Sequence, residues 1–486
     1  ASPRCTMAQL LRQSSDAALA SSYTLLPSDK PPAGVSVCEA ATSLAKICVG
    51  TGVMALPWAF VQGGALAVPG LVLLGAWNYY TSYQLIEARH AFERRGGNCG
   101  PMSPGMQRAS RSAYSALAYG ALGRPGRLLL ECGLISVLVG VCASLQMQAA
   151  QLAHSLIPAA SHTLCVLVTA PLLAPLVLLK TASGLSRVNL AGLIVLIASL
   201  SSVCIEGSRR YYERELHATA TTAESAESAL SALTAMPSLS AAAAYFGVAA
   251  FCFGTQALVL PVQESMARPA HARRALGLAL SFVVLLNVAI GSLLSFWYGS
   301  SDEGVQQLIL LNLQAGSPLS AGIESASAAV ALLSYPLPLM PVVQLLTSPV
   351  EGDTRLADSG CEHKSAPLLA AARSPLERAR RRATASWWPQ GEDAIRLALL
   401  AFTTTVSLLV PNFGAVTGFL GCVNLANSAL LPPLIHLRLV ALERQSCTWG
   451  YRRGVVVDVL LILLGAATLM FFTALSGRAL LLGGGR

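Results

Sequence analysis

Charged residues are scarce in this sequence of 486 residues, since Asp, Glu, Lys and Arg together make up only 12% of it. Hydrophobic residues make up 54%, and the mean hydropathy is +0.57. Soluble domains carry about 25% charged residues, so the composition excludes that class and indicates an integral membrane protein. The net charge of +9 does not indicate nucleic-acid binding, because the basic residues are scattered between apolar runs and form no stripe.

Several motifs are also missing. The twelve cysteines include no CxxC pair and have no histidines at metal-ligand spacing, so neither a zinc site nor a disulfide framework is indicated. No HExxH, no G-x-S-x-G with triad partners and no P-loop occurs. The sequence therefore predicts no enzyme, no metal site and no organic cofactor.

Eleven apolar runs of about 17 to 25 residues, the length that crosses a hydrocarbon core, predict an all-α protein with eleven transmembrane helices. The polar residues 1–34, which include a Pro-Ser-Asp-Lys-Pro-Pro cluster, are expected to form a disordered cytoplasmic tail. Residues 35–476 are expected to form the transmembrane domain, and 477–486 a non-cytoplasmic tail. The eleven runs are Glu39–Phe60, Leu66–Ile86, Leu128–Ala149, Thr163–Leu179, Leu185–Ile205, Leu239–Pro261, Ala275–Tyr298, Gly322–Leu346, Ala394–Val410, Phe413–Leu437 and Val455–Ala474.

Basic residues alternate from loop to loop. Seven arginines lie between residues 87 and 127, whereas the segment 299–320 has two acidic residues and no Lys or Arg. Cytoplasmic loops carry the excess of Lys and Arg. With eleven spans, this pattern places the N-terminus in the cytoplasm and the C-terminus on the opposite side.

One eight-residue pattern occurs twice. Residues 50–57 read Gly-Thr-Gly-Val-Met-Ala-Leu-Pro and residues 254–261 read Gly-Thr-Gln-Ala-Leu-Val-Leu-Pro, with Gly, Thr, Leu and Pro in the same four places. Glycine and proline weaken a helix, so a break is expected in the first and the sixth run. Broken helices in the two halves of a membrane protein commonly line a transporter's central site. Two unrelated kinks in ordinary membrane helices are the alternative.

Four stretches resemble motifs of the amino acid/auxin permease family, within the amino acid–polyamine–cation superfamily and close in type to its vacuolar or proton-coupled amino acid transporters. They are Gly50–Phe60 for its first helix, Val259–Met266 for the end of its sixth, Ser334–Leu337 for its eighth and Pro411–Gly414 for the start of its tenth. The resemblance implies a five-plus-five inverted repeat, about 39–205 and 239–437, with discontinuous helices 1 and 6 and an eleventh helix at 455–474. It also implies secondary transport of amino acids driven by protons or, in some branches, sodium.

An amino acid presents a carboxylate and an ammonium group, which need opposite partners. A half-helix N-terminus offers N–H groups to the carboxylate, and freed carbonyl oxygens suit the ammonium. We expect Thr51, Gly52 and Val53 to supply the N–H groups and residues 251–256 to supply carbonyls and walls. Thr51 and Thr255 are equally open to interpretation as helix-packing hydroxyls. The predicted substrate-binding residues are Gly50, Thr51, Gly52, Val53, Phe251, Gly254, Thr255, Gln256, Tyr335 and Asn424.

Lys46 lies inside the first run, four residues before Gly50. An ionisable side chain at such depth is a functional candidate, and we predict that Lys46 couples transport to the ion. It could exchange a proton, hold the broken helix as a fixed cation, or merely extend to the interface. The resemblance implies protons, because proton-coupled branches often have lysine here and sodium-coupled ones more often asparagine.

Other polar residues are open to two interpretations. Thr417, Gly421, Asn424 and Ser428 recur at helical spacing in the tenth run and line either the cavity or an interhelical packing seam. Tyr335 reaches the site from the eighth run or packs at a proline kink. Glu131, Glu264 and Asp458 lie near cytoplasmic span ends and are expected to be hydrated or paired with arginines.

The sequence therefore predicts a proton-coupled amino acid symporter that works by alternating access and functions as a monomer in a vacuolar, endomembrane or plasma membrane. Its expected partners are a small amino acid and the bilayer, with no nucleic acid. An amino acid-binding nutrient sensor that signals through the loop at 348–391 is a different class of function, and sodium-coupled or auxin-like carriers are further alternatives.

Overall fold

The computed structural model describes residues 35–94, 112–178, 185–216, 231, 233–299, 304–314, 316–347, 391–410, 412–441 and 449–483. Over these residues the chain is helical and has no strand, so the all-α fold class is confirmed. The expected tail at 1–34 and all but the last residue of the predicted signalling loop at 348–391 lie outside the described ranges.

Fifteen α-helices cover most of the described chain. They are α1 Val37–Cys48, α2 Thr51–Gly63, α3 Ala67–Arg94, α4 Ala113–Leu156, α5 His162–Val177, α6 Leu185–Leu216, α7 Leu239–Phe251, α8 Gln256–Ser265, α9 Ala272–Gly299, α10 Pro318–Ser334, α11 Pro336–Thr347, α12 Gly391–Leu409, α13 Phe413–Leu425, α14 Leu431–His436 and α15 Trp449–Gly483. Two π-helical turns, Ala426–Leu430 and Leu437–Ala441, flank α14.

Every predicted apolar run overlaps helix within the described residues, and eight helical stretches of the described chain are long and apolar enough to cross a membrane. The difference from eleven arises at three places. Helices α2 and α3 join through the 3₁₀ turn Gly64–Leu66 into one stretch. Helix α5 has only 16 residues, and α12 carries Glu392, Asp393 and Arg396 within its 19 residues.

Several helices extend past the predicted limits. Helix α4 begins at Ala113 and kinks at Gly123, whose φ is 70°, in the left-handed region that glycine adopts without strain. Helix α6 continues to Leu216. Helix α15 continues to Gly483, so most of the segment expected to be a tail at 477–486 prolongs the last helix.

Small residues let α7 and α13 approach closely. A Cβ on Gly247 would overlap the carbonyl oxygen of Gly418, and one on Gly421 would overlap that of Gly247. Backbones that approach this closely are typical of membrane helix pairs with small residues. On another face of α7, Phe246 stacks on Phe472 of α15 with ring centroids 4.2 Å apart.

The chain before α1 is tied to the chain after α8. The N–H of Val35 donates to Ser265 O at 2.9 Å, and the N–H of Ala267 donates to Val35 O at 3.1 Å. Helix α1 then starts with a capping box between Ser36 and Glu39, which satisfies two backbone donors. The start of α1 and the end of α8 therefore lie side by side.

Candidate functional site

The first predicted break is present, between α1 and α2. Val49 and Gly50 leave the helical region, with φ/ψ of −92°/86° and −140°/−147°. Gly50 has no side chain to cap α2, and the first N–H groups of a helix lack intrahelical acceptors. The N–H of Val53 donates to Gly50 O at 3.2 Å, so Val53 differs from the expectation that it offers a free donor. Thr51 and Gly52 are left at the uncapped end.

The second break separates α7 from α8 at residues 252–255. The N–H groups of Cys252 and Phe253 still bond to carbonyls of the last turn of α7. Helix α8 has no side-chain cap at its N-terminus, and its first turn closes on the carbonyl oxygen of Thr255. The interruption at Gly254, which the repeated pattern predicted, is thus confirmed as a gap between two half-helices.

The two breaks adjoin each other. A Cβ on Gly52 would lie 2.9 Å from Cδ1 of Phe251 and 3.1 Å from Sγ of Cys252. By contrast, a Cβ on Gly50 or on Gly254 would meet nothing within 4 Å. Gly52 beside the first break therefore packs tightly against Phe251 and Cys252 at the second break, whereas Gly50 and Gly254 border open space.

Polar side chains of α3 hold the second break. Gln256 is 2% exposed, and its Nε2 donates to Oδ1 of Asn78 at 2.8 Å and lies 3.3 Å from Oγ1 of Thr81. The buried hydroxyls of Thr255 and Ser82 are 2.9 Å apart. These α3 residues were not among the predicted site residues. Their spacing of three and four positions in an apolar run is the signal that could have found them.

The polar stripe of the tenth run contacts both the second break and helix α7. Asn424 Nδ2 donates to Phe253 O in the second break at 3.4 Å, and Ser428 O accepts from Gln256 Nε2 at 3.5 Å. Gly421 instead packs on α7, and the Thr417 hydroxyl bonds to carbonyls of its own helix. The C-terminal part of the stripe faces the breaks, while its N-terminal part forms the packing seam.

Tyr335 lies away from the breaks. Its side chain is fully buried in a separate hydrophobic cluster with residues of α4, α5, α11 and α12, and its hydroxyl is 2.6 Å from Oγ1 of Thr403. The structure therefore places Tyr335 in aromatic packing beside Pro336, the second of its two interpretations.

Lys46 occupies the last turn of α1 and is half-buried. The C-terminal end of a helix carries a partial negative charge on its unpaired carbonyls, which favours a cation there. The position is consistent with a cation beside the first break.

The three peripheral acids differ from one another. Glu131 pairs with Arg127 at 2.7 Å and Glu264 with Arg89 at 3.0 Å, as expected. For Asp458 the expectation is wrong, because it is fully buried and its carboxylate contacts His436 at 2.7 Å and Gln84 at 2.6 Å. Its place in the sequence near a span end concealed that α3 and α14 cover it.

Comparisons with known proteins identify a family. A family model described as transmembrane amino acid transporter protein matches residues 33–476. Vacuolar amino acid transporter 4 of Saccharomyces cerevisiae is 24% identical over 444 residues, which cover 88% of this chain and 56% of that protein. Vacuolar amino acid transporter 3 of the same yeast is 24% identical over 231 residues, 47% of this chain and 28% of that protein.

A plant protein is similar over a larger share of its own length. Amino acid transporter AVT3C of Arabidopsis thaliana is 22% identical over 433 residues, covering 84% of each chain. The matched region spans only about half of the first yeast relative. These relatives are transporters, and none is named as an enzyme.

Proposed function

Because the chain belongs to the transmembrane amino acid transporter family, we propose that it is a proton-coupled amino acid symporter that works by alternating access. The substrate is held between the two broken helices. The observation that carries this proposal is that the two gaps adjoin, while Gly50 and Gly254 border open space.

The ends of the half-helices suit the two charged groups of an amino acid. The uncapped N-terminus of α2, with Thr51 and Gly52, offers N–H donors and the positive end of a helix dipole to the carboxylate. Carbonyl oxygens in the last turns of α1 and α7 suit the ammonium group. Phe251, Thr255, Gln256 and Asn424 border the second gap and form its walls.

Lys46 takes part in ion coupling as the cation at the C-terminal end of α1. A charge at this place stabilises the carbonyls that the break leaves unpaired. Because it is one turn from Gly50, a change in its charge or position alters the gap that binds substrate.

The proposed topology has eleven spans, arranged as two inverted repeats of five followed by α15. The helical state of all eleven apolar runs and the breaks in the first and sixth support it. The arginine-rich and basic-poor loops support a cytoplasmic N-terminus and a non-cytoplasmic C-terminus. The names of the yeast relatives favour a vacuolar or other endomembrane, and we propose a functional monomer.

Counterflow in proteoliposomes tests the function. Vesicles loaded with an unlabelled amino acid should accumulate the same labelled amino acid, and a panel of amino acids identifies the substrate. An inward proton gradient should drive net uptake, whereas an inward sodium gradient should not. Binding without any counterflow or uptake would contradict transport and favour the sensor.

A further inference from the structure

A buried charged cluster joins three helices at some distance from the two breaks. Asp458 of α15 is fully buried, and its Oδ2 lies 2.7 Å from Nδ1 of His436 at the end of α14. Nε2 of the same imidazole lies 3.3 Å from Oε2 of Glu87 in α3. Gln84 donates to the other oxygen of Asp458 at 2.6 Å. We refer to His436, Asp458, Glu87 and Gln84 as the His436 cluster.

The hydrogen count of the His436 cluster is informative. Each of the two nitrogen–oxygen contacts needs one hydrogen, but a neutral imidazole carries only one N–H. The second hydrogen must come either from a protonated imidazole or from a carboxylic acid that donates to the imidazole nitrogen. With both contacts made as hydrogen bonds, the arrangement holds one proton more than a neutral histidine with two carboxylates.

We propose that the His436 cluster binds the proton that is coupled to amino acid transport. This inference rests on the proposed symport. When the cluster loses the proton, one nitrogen–oxygen contact becomes two facing lone pairs and must separate. The Glu87 contact is the one that opens, because it is the longer of the two and the Glu87 side chain is 42% exposed, whereas that of Asp458 is 1% exposed.

The neighbouring charged and titratable groups already have partners. The Tyr83 hydroxyl donates to the second oxygen of Glu87 at 2.6 Å, and Arg273 of α9 lies 4.6 Å from the centre of the Tyr83 ring. Arg273 also donates to the Tyr79 hydroxyl at 3.2 Å. Tyr80 of α3 lies near Asp458.

Two ion pairs hold further charges on the adjacent helices, and Arg438, two residues after His436, is exposed. Helix α4 packs on α14 and carries the pair of Arg127 with Glu131, and α8 packs on α3 through the pair of Glu264 with Arg89. Among the described residues, no three His, Cys, Asp or Glu side chains are placed to hold a metal ion. The hydrogen count of the His436 cluster makes a proton the ligand that fits it.

Two continuous elements connect the cluster to the second break. Helix α3 carries Glu87, Ser82 about one and a half turns earlier and Asn78 about two and a half turns earlier. Asn78 contacts Gln256, and Ser82 contacts Thr255. The tenth run carries His436 between two π-turns, and the first of these holds Ser428, whose carbonyl oxygen lies 3.5 Å from Gln256 Nε2. Such turns are frequent at functional sites. Separation of Glu87 from His436 therefore moves α3 relative to the helix that borders the substrate gap.

The experiment uses the full chain in proteoliposomes that contain a pH-sensitive dye. Wild type should show counterflow, proton-driven uptake and acidification of the lumen when the amino acid is added outside. Glu87→Gln and His436→Gln should reduce proton-driven uptake and acidification at least tenfold, while counterflow continues and no longer depends on pH. Glu206→Gln is the matched control, because Glu206 is a partly buried carboxylate that pairs with Arg210 of its own helix at 2.8 Å.

The outcomes separate the two proposals. Failure of wild type to catalyse counterflow or proton-driven uptake would overturn the proposed function. Normal proton-driven uptake and an unchanged pH profile in folded Glu87→Gln would overturn the inference alone. Loss of counterflow together with uptake in folded Glu87→Gln would also overturn it, because that result indicates a structural role. Gel filtration and thermal unfolding establish folding, and the partly exposed Glu87 keeps the test valid if the His436 variant is unstable.

Discussion

Gly52 of α2 packs directly against Phe251, the last residue of α7, so that even a Cβ at position 52 would lie 2.9 Å from the Phe251 ring. The two residues belong to opposite halves of the chain, and their contact fixes the distance between the two helix breaks. The uncapped end of α2 consequently faces the segment that separates α7 from α8.

Gly52→Val should weaken amino acid binding at least tenfold, equivalent to about 1.4 kcal/mol. The larger side chain must displace Phe251 or Cys252 and so separate the two gaps. Equilibrium binding to purified protein measures the effect. Gly322→Val is the control, since a Cβ on Gly322 in α10 meets nothing within 4 Å. Wild-type affinity in folded Gly52→Val would contradict the site assignment.

Gly50→Val tests the open space beside the first break. Its new side chain has no neighbour to displace, so thermal unfolding should stay within about 1 °C of wild type, a shift of about 1 kcal/mol for a chain of this size. Amino acid binding should nevertheless fall at least tenfold, because the side chain occupies the volume assigned to substrate. Unchanged binding in this variant would show that the space is not the substrate site.

Lys46→Ala should reduce proton-driven uptake several-fold by removing the cation at the end of α1. Lys46→Arg should retain most of the uptake, because arginine keeps the charge but does not release a proton in this pH range. Initial rates under an imposed pH gradient distinguish the two variants. If Lys46→Arg is as inactive as Lys46→Ala, the residue exchanges a proton and is not a fixed cation.

Gln256→Leu should destabilise the protein by about 1–3 kcal/mol, the typical effect of leaving a buried hydrogen-bonding group without its partner. Asn78→Leu should have a similar effect, whereas the double variant should cost less than the sum of the two. A double-mutant cycle from denaturant unfolding in detergent measures this coupling. Additive losses would show that the 2.8 Å contact between the two amides contributes nothing to stability.

The sequence predicted the parts of the molecule that depend on local chemistry. Hydropathy located the helices, and the repeated Gly-Thr pattern located both breaks, since glycine at such positions acts on its own backbone. The role expected of Val53 at the first break was wrong in one detail. The helix begins at Thr51 and already uses the N–H of Val53, a detail that depends on the geometry of a single turn.

Contacts between distant segments could not be predicted in the same way. His436 and Glu87 are 349 positions apart, and nothing in either local sequence indicates that the two helices meet. Tyr335 belongs to a stretch that resembles a family motif, but its side chain lies among apolar side chains beside Thr403. A single sequence shows which residues are polar, but only the packing of the helices shows which of them share a cavity.

The short pairing of Val35 with Ser265 and Ala267 has a mechanical consequence. It fastens the beginning of the first half-helix, α1, to the end of α8, the half-helix that follows the second break. Neither half-helix can tilt away from the centre of the protein unless the other moves with it or the two backbone hydrogen bonds break. In the proposed topology both half-helices lie on the cytoplasmic side. Opening of the site toward the cytoplasm therefore requires that the two half-helices move together or that this pairing breaks.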